Sequence, residues 1–160
     1  MNQFAAFQMQ DAMSEPDQMP TAAPVAPVRI KRTGQRPLVF DGTELCMAMS
    51  YVPGAPSWYE INVYRSTGQK FVVAIRTFFR SEDERDRARA WEFDSFEQVM
   101  ECLEGFDAAV DVRVDRFGDE AEMSAAELAA EGFGLRARVE AARAQYRGLV
   151  GEILHELEQG

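Results

Sequence analysis

The sequence predicts an α+β fold: an antiparallel meander of four to six strands, one packed helix and a C-terminal helical arm. Three observations carry the prediction. Residues 38–79 alternate apolar and polar side chains with strand period and are broken by turn residues, with no crossover helix between them. A helix-start signal stands at Asp94-Ser95, and an apolar stripe of helical period runs from Leu135 to Leu157.

Leu38-Val39-Phe40 is expected to end at an Asp41-Gly42 turn. Leu45, Met47, Met49 and Tyr51 then alternate with Cys46, Ala48 and Ser50, and Pro53-Gly54-Ala55-Pro56 breaks the chain. A second strand runs from Trp58 to Arg65, Ser66-Thr67-Gly68-Gln69 is a hairpin connection, and Lys70 to Phe79 returns. Their inward sets are Tyr59, Ile61 and Val63, and Phe71, Val73, Ile75 and Thr77. Ser81–Arg89 is expected as an exposed charged loop or hairpin tip, and Trp91-Glu92-Phe93 as a short strand. Ser95 with Gln98 forms a capping box for a helix through Phe96, Val99, Met100 and Leu103, closed by Gly105. Val110, Val112 and Val114 alternate with Asp111, Arg113 and Asp115 as a further edge or half-buried strand. Ser124 with Glu127 caps a short helix ending at Gly132, and Leu135–Leu157 is a second helix.

These elements divide into a disordered leader over 1–28, an α+β domain over 29–118 and an acidic helical arm over 119–160. The leader is rich in Met, Gln, Ala and Pro, too weakly apolar to offset its ordering entropy; Phe4 and Phe7 are most simply part of a floppy tail.

Charge is split along the chain. Residues 29–80 carry eight Lys/Arg against three Asp/Glu, while residues 81–160 carry nine against twenty-one, within a net charge of −10. The split points to a charged partner, or to two halves that attract each other. No run of about 18 apolar residues spans a bilayer, and no secretory pattern opens the chain. Cys46 and Cys102 lie in apolar patterns without C-x-x-C spacing and read as buried thiols. A cytoplasmic protein that does not act on membranes is expected.

No catalytic, metal or cofactor signature emerges, so no enzyme activity and no cofactor are assigned. His155 is the single histidine and stands on a helix end beside Glu156. Asp107, Asp111, Asp115 and Asp119 recur at fours, but no calcium-loop pattern accompanies them. Gly132-Phe133-Gly134 lacks the remainder of any phosphate loop and reads as helix punctuation.

Two surfaces are candidates. The first is protein interaction or self-association through Leu135, Val139, Tyr146, Leu149, Val150, Ile153 and Leu157. Behind that stripe stand Ala141, Ala144, Gly148 and Gly151, and interior helix glycines that each cost about 1 kcal/mol suggest close approach of another backbone. This makes the leading expectation a non-catalytic interaction or regulatory module. The alternative is single-stranded nucleic-acid binding on Trp58, Tyr64, Arg76, Phe78 and Arg80, extended by Arg32 and Arg36. Bases stack on rings for about 1–3 kcal/mol each while cations meet phosphates. The acidic half would compete for that basic surface. The order of elements resembles, in topology alone, the transcriptional-coactivator and Pur-type single-strand binders.

Overall fold

The computed structural model describes residues 23–114 and 123–159. Five strands, β1 (Ala26–Arg32), β2 (Gln35–Met49), β3 (Ser57–Ser66), β4 (Phe71–Phe79) and β5 (Arg87–Phe93), form one antiparallel sheet in sequential order. Helix α1 (Phe96–Gly105), a single 3-10 turn (Ala108–Asp111) and helix α2 (Ala125–Gln159) follow. The fold is α+β, as the alternation requires.

The sheet has two buried faces because it curls. At the β1–β2 turn, the Thr33 amide donates to the Ala88 carbonyl (2.8 Å) and the Ala88 amide to Thr33 Oγ1 (2.9 Å), bringing the first hairpin against β5. The curl encloses Ile30, Val72, Ala74 and Ala90, flanked by Val28, Leu38, Phe40 and Tyr64. The outer face carries Tyr59, Ile61, Val63, Val73 and Ile75 and is covered by α1 and α2. Each fully buried aliphatic side chain there contributes about 1.5–3 kcal/mol by leaving water.

β2 supplies the bend that permits the curl. Residues 35–42 of this strand pair with β1 and residues 42–49 with β3, and the exchange of partners falls on Gly42. A Cβ there would lie 2.5 Å from the Arg65 carbonyl oxygen, so only glycine fits. The expected Asp41-Gly42 turn is therefore a crossing point inside a continuous strand; in the β1–β2 turn the left-handed glycine is Gly34, at φ 73°. β1 begins at Ala26, inside the segment assigned to the leader; the leader's first 22 residues lie outside the described residues.

Helix α1 starts as its sequence requires. Ser95 accepts from the Gln98 amide, and the Gln98 side chain accepts in return from the Ser95 amide (both 3.3 Å). Gly105 is its last residue rather than a left-handed cap. The expected Val110–Val114 strand is instead the 3-10 turn and an extended exit. Asp107 caps the turn, accepting from the Ala109 amide at 3.0 Å, and Asp111 is drawn into the interior. Helix α2 runs uninterrupted for 35 residues, about 52 Å at 1.5 Å per residue. Gly132 and Gly134 do not stop it, because neither adopts a left-handed conformation. Tyr146, Leu149, Val150 and Ile153 seat its second half on the sheet; Leu128, at 37% exposure, and Phe133, at 71%, lie on its first half.

Candidate functional site: an open strand edge and its aromatic shelf

Past Gly42, β2 has no strand beside it opposite β3 among the described residues. Its hydrogen-bonding alternation can be fixed. The Ser50 amide donates to the Tyr59 carbonyl at 2.9 Å, and the ladder places Ala48 opposite Ile61 and Cys46 opposite Val63. Alternation makes these the hydrogen-bonded pairs with β3. The N–H and C=O groups of Met47 and Met49 therefore point to the open side.

The side chains of the same residues are exposed. Leu45, Met47, Met49, Tyr51 and Val52 are each 41–57% accessible. Met47 lies opposite Asn62 and Met49 opposite Glu60, so both share the inner face with Trp58. Tyr51 meets Trp58 edge-on with centroids 5.0 Å apart. Trp58 stacks on Phe78 at 5.6 Å with planes 15° apart. This end of the curl is an open shelf of thioethers and rings.

Two polar pairs lie beside the shelf. Arg76 donates to Glu60 at 3.2 Å. Asn62 donates to Glu44 at 3.1 Å. Tyr64 sits further inside, edge-on to Phe40 at 5.7 Å; burial first, then the charge and hydrogen bond of Glu44, push its hydroxyl up to about 12. Of the residues expected to hold nucleic acid, Trp58, Arg76, Phe78 and Arg80 share the open end of the inner face. Tyr64 is withdrawn into the closed end. Arg32 donates to the Arg36 carbonyl at 2.8 Å on the first hairpin.

The residues expected to form a helical interface also divide. Tyr146, Leu149, Val150 and Ile153 are buried in the chain's own core, and Leu157 packs at its margin. Their stripe is consumed by the sheet because the sheet's outer face is equally apolar. Leu135 and Val139 lie on the preceding, more exposed turns. Gly148 and Gly151 have open space where a Cβ would stand, so no approach within the described residues accounts for them. Helix α2 covers the outer face and leaves Trp58 and Arg76 uncovered.

Two further features frame the site. Asp111, 4% exposed, accepts from Thr77 Oγ1 (2.6 Å), Arg87 (3.2 Å) and both terminal nitrogens of Arg89 (2.6 and 3.0 Å). This pins the 3-10 turn to β4 and β5. Arg143 grips Asp107 through two hydrogen bonds of 2.8 and 2.9 Å, which hold that exposed carboxyl well below its usual range. Beside it, Leu103, Phe106, Val150 and Leu154 line a groove of about 550 Å3.

The open edge was only partly legible in sequence. Strand alternation at Leu45–Tyr51 was visible, but its loss of a partner at Gly42 depends on the curl. No protein-family model, curated protein or solved structure matches this chain.

Proposed function

We propose that this chain is a non-catalytic protein-interaction module that captures an extended segment of a partner by strand addition along β2. The observation that carries the reading is the coincidence, at Met47 and Met49, of outward backbone donors and acceptors with exposed apolar side chains. Strand addition uses both: main-chain hydrogen bonds supply affinity, and alternate side-chain pockets supply specificity. Natural proteins guard open edges with lysine, proline or a bulge. Residues 47–49 contain no charge and no proline, and the irregularity at Glu44–Cys46 ends before them.

Selection of displayed random peptides on the full chain, followed by amide mapping of the bound state, tests this. Alternating apolar peptides should slow hydrogen exchange at Met47 and Met49 and shift Trp58 emission. Selected peptides that leave both amides unchanged refute it. The stacked Trp58–Phe78 pair with exposed Arg80 on the same face favours one further reading, single-stranded nucleic acid, for which an oligothymidylate should quench Trp58 in a salt-dependent way.

A further inference from the structure

Helix α2 runs alongside β2 in a direction that can be read from two contacts. The Gln145 side chain donates to the carbonyls of Ser50 (3.3 Å) and Ser57 (3.1 Å) at one end. Further along, Ile153 shares one buried cluster with Cys46 of β2, and the charge of Glu156, after burial, helps to raise the Cys46 thiol. Residues 152 and 156 lie seven and eleven positions beyond 145, which at about 100° per residue places all three within about 40° of one another. Glu152, exposed like Glu156, therefore stands on the same flank, above the open edge. The other flank of the helix, with Arg143, Arg147 and Leu154, faces the groove beside Phe106.

This end of α2 is electrostatically unfavourable by itself. Glu152, Glu156 and Glu158 occupy its last two turns, and no basic residue stands in the last turn. The unpaired carbonyls of a helix C-terminus carry about half a negative charge, so acidic side chains there add to the potential instead of offsetting it. Negative charge is thus gathered above a strand edge that itself lacks charge.

Three kinds of strand could lie on that edge. The chain's own upstream segment fits poorly. Pro27 lies opposite Asp41 in the regular β1–β2 ladder, and having no N–H it marks the non-hydrogen-bonded positions. Alternation then assigns Pro24 to a donor position it cannot fill. Residues 1–28 also contain Asp11, Glu15 and Asp17 and no lysine or arginine. A second copy, with net charge −10, would bring Glu152 and Glu156 of two helices together at the joint. A cationic strand meets neither obstacle.

We propose that the partner segment is basic and amphipathic, alternating apolar residues with lysine or arginine. Its apolar side chains lie with Leu45, Met47, Met49 and Trp58 on the inner face, and its cations lie on the outer face under Glu152 and Glu156. This deepens the strand-addition reading and rests on it.

The test uses the isotope-labelled full chain and three heptapeptides that share Val and Ile at alternate positions, with Lys, Gln or Glu between. The Lys peptide should bind at least tenfold more tightly than the Gln peptide in low salt, with protection at the Met47 and Met49 amides. Raising salt to about 0.5 M, where the Debye length falls to a few ångströms, should erase most of that advantage. The double variant Glu152→Gln/Glu156→Gln should abolish the advantage while leaving Gln-peptide binding intact; both side chains are exposed, so the fold is kept. Equal affinity for the Lys and Gln peptides overturns the charge assignment and leaves strand addition standing. Failure of all three peptides to protect Met47 and Met49 overturns both. Concentration-dependent dimerisation that protects these amides without peptide overturns the proposal in favour of a second copy.

Discussion

Replacing Asp111 with asparagine isolates the contribution of the buried carboxylate at the base of the 3-10 turn. Its two oxygens accept four hydrogen bonds, three of them from arginine. Asparagine keeps the shape but offers one acceptor, and its amide group points donors at donors. Breaking a buried ion pair from one side costs about 3–5 kcal/mol. Here the arginines are partly hydrated, with side chains 45% exposed at Arg87 and 24% at Arg89. Arg87 also keeps its 2.9 Å bond to the Val110 carbonyl. Discounting for that solvent access gives about 3 kcal/mol, which for a chain of this length lowers the melting temperature by about 6–12 °C. Urea unfolding followed by tryptophan emission and by circular dichroism measures it. Thr77→Val, which removes one charge-assisted bond, should cost about 1.5 kcal/mol. The double variant should fall short of the sum by more than about 0.5 kcal/mol, because both changes remove the same Thr77–Asp111 bond. A loss below about 1 kcal/mol for Asp111→Asn, or strict additivity, refutes the reading of this cluster as a tie between turn and sheet.

The remaining predictions concern glycines and thiols. Gly148→Ala and Gly151→Ala should each stabilise the chain by about 1 kcal/mol, since a Cβ meets open space in a helix interior. Gly42→Ala should destabilise it, because the added carbon collides with the Arg65 carbonyl; thermal melts of the three variants compare the signs directly. Burial, reinforced at Cys46 by Glu156 and Glu44, pushes the thiols up to about 12 at Cys46 and about 11 at Cys102. Both should resist a thiol reagent at pH 8 until the chain is unfolded. Because the folded pKa values are raised, this contribution to stability is complete below about pH 9, the ordinary thiol value, and is lost as pH climbs from there toward 12. Melting temperatures between pH 8 and 11 follow that loss.

Much of the architecture was legible one residue at a time. Alternation at Trp58–Arg65 and Lys70–Phe79 fixed β3 and β4, since a single buried face imposes period two on any strand. Ser95 and Gln98 announced α1, since capping is a contact between residues three apart. Where local signals misled, longer-range contacts had decided. Asp41-Gly42 has the chemistry of a turn, but the glycine is there so that β3 can approach. Val110–Val114 has the alternation of a strand, but Thr77, Arg87 and Arg89 pull Asp111 inward and wind the backbone into a 3-10 turn. Gly132 and Gly134 resemble punctuation, yet a helix anchored by Tyr146 and Ile153 continues through both.

The sequence alone determined the α+β class, the order of the central strands and the amphipathic character of α2, because each is written in side-chain periodicity and local capping. The tertiary structure alone decided which apolar stripe is consumed and which is displayed. From composition the helical stripe was the leading candidate surface and the aromatic sheet face the alternative. The curl of the sheet and the fit of α2 on its outer face buried Tyr146 and Ile153 and left Met47, Met49 and Trp58 open. Exposure is a property of how surfaces are paired, and pairing between residues a hundred positions apart has no local signature.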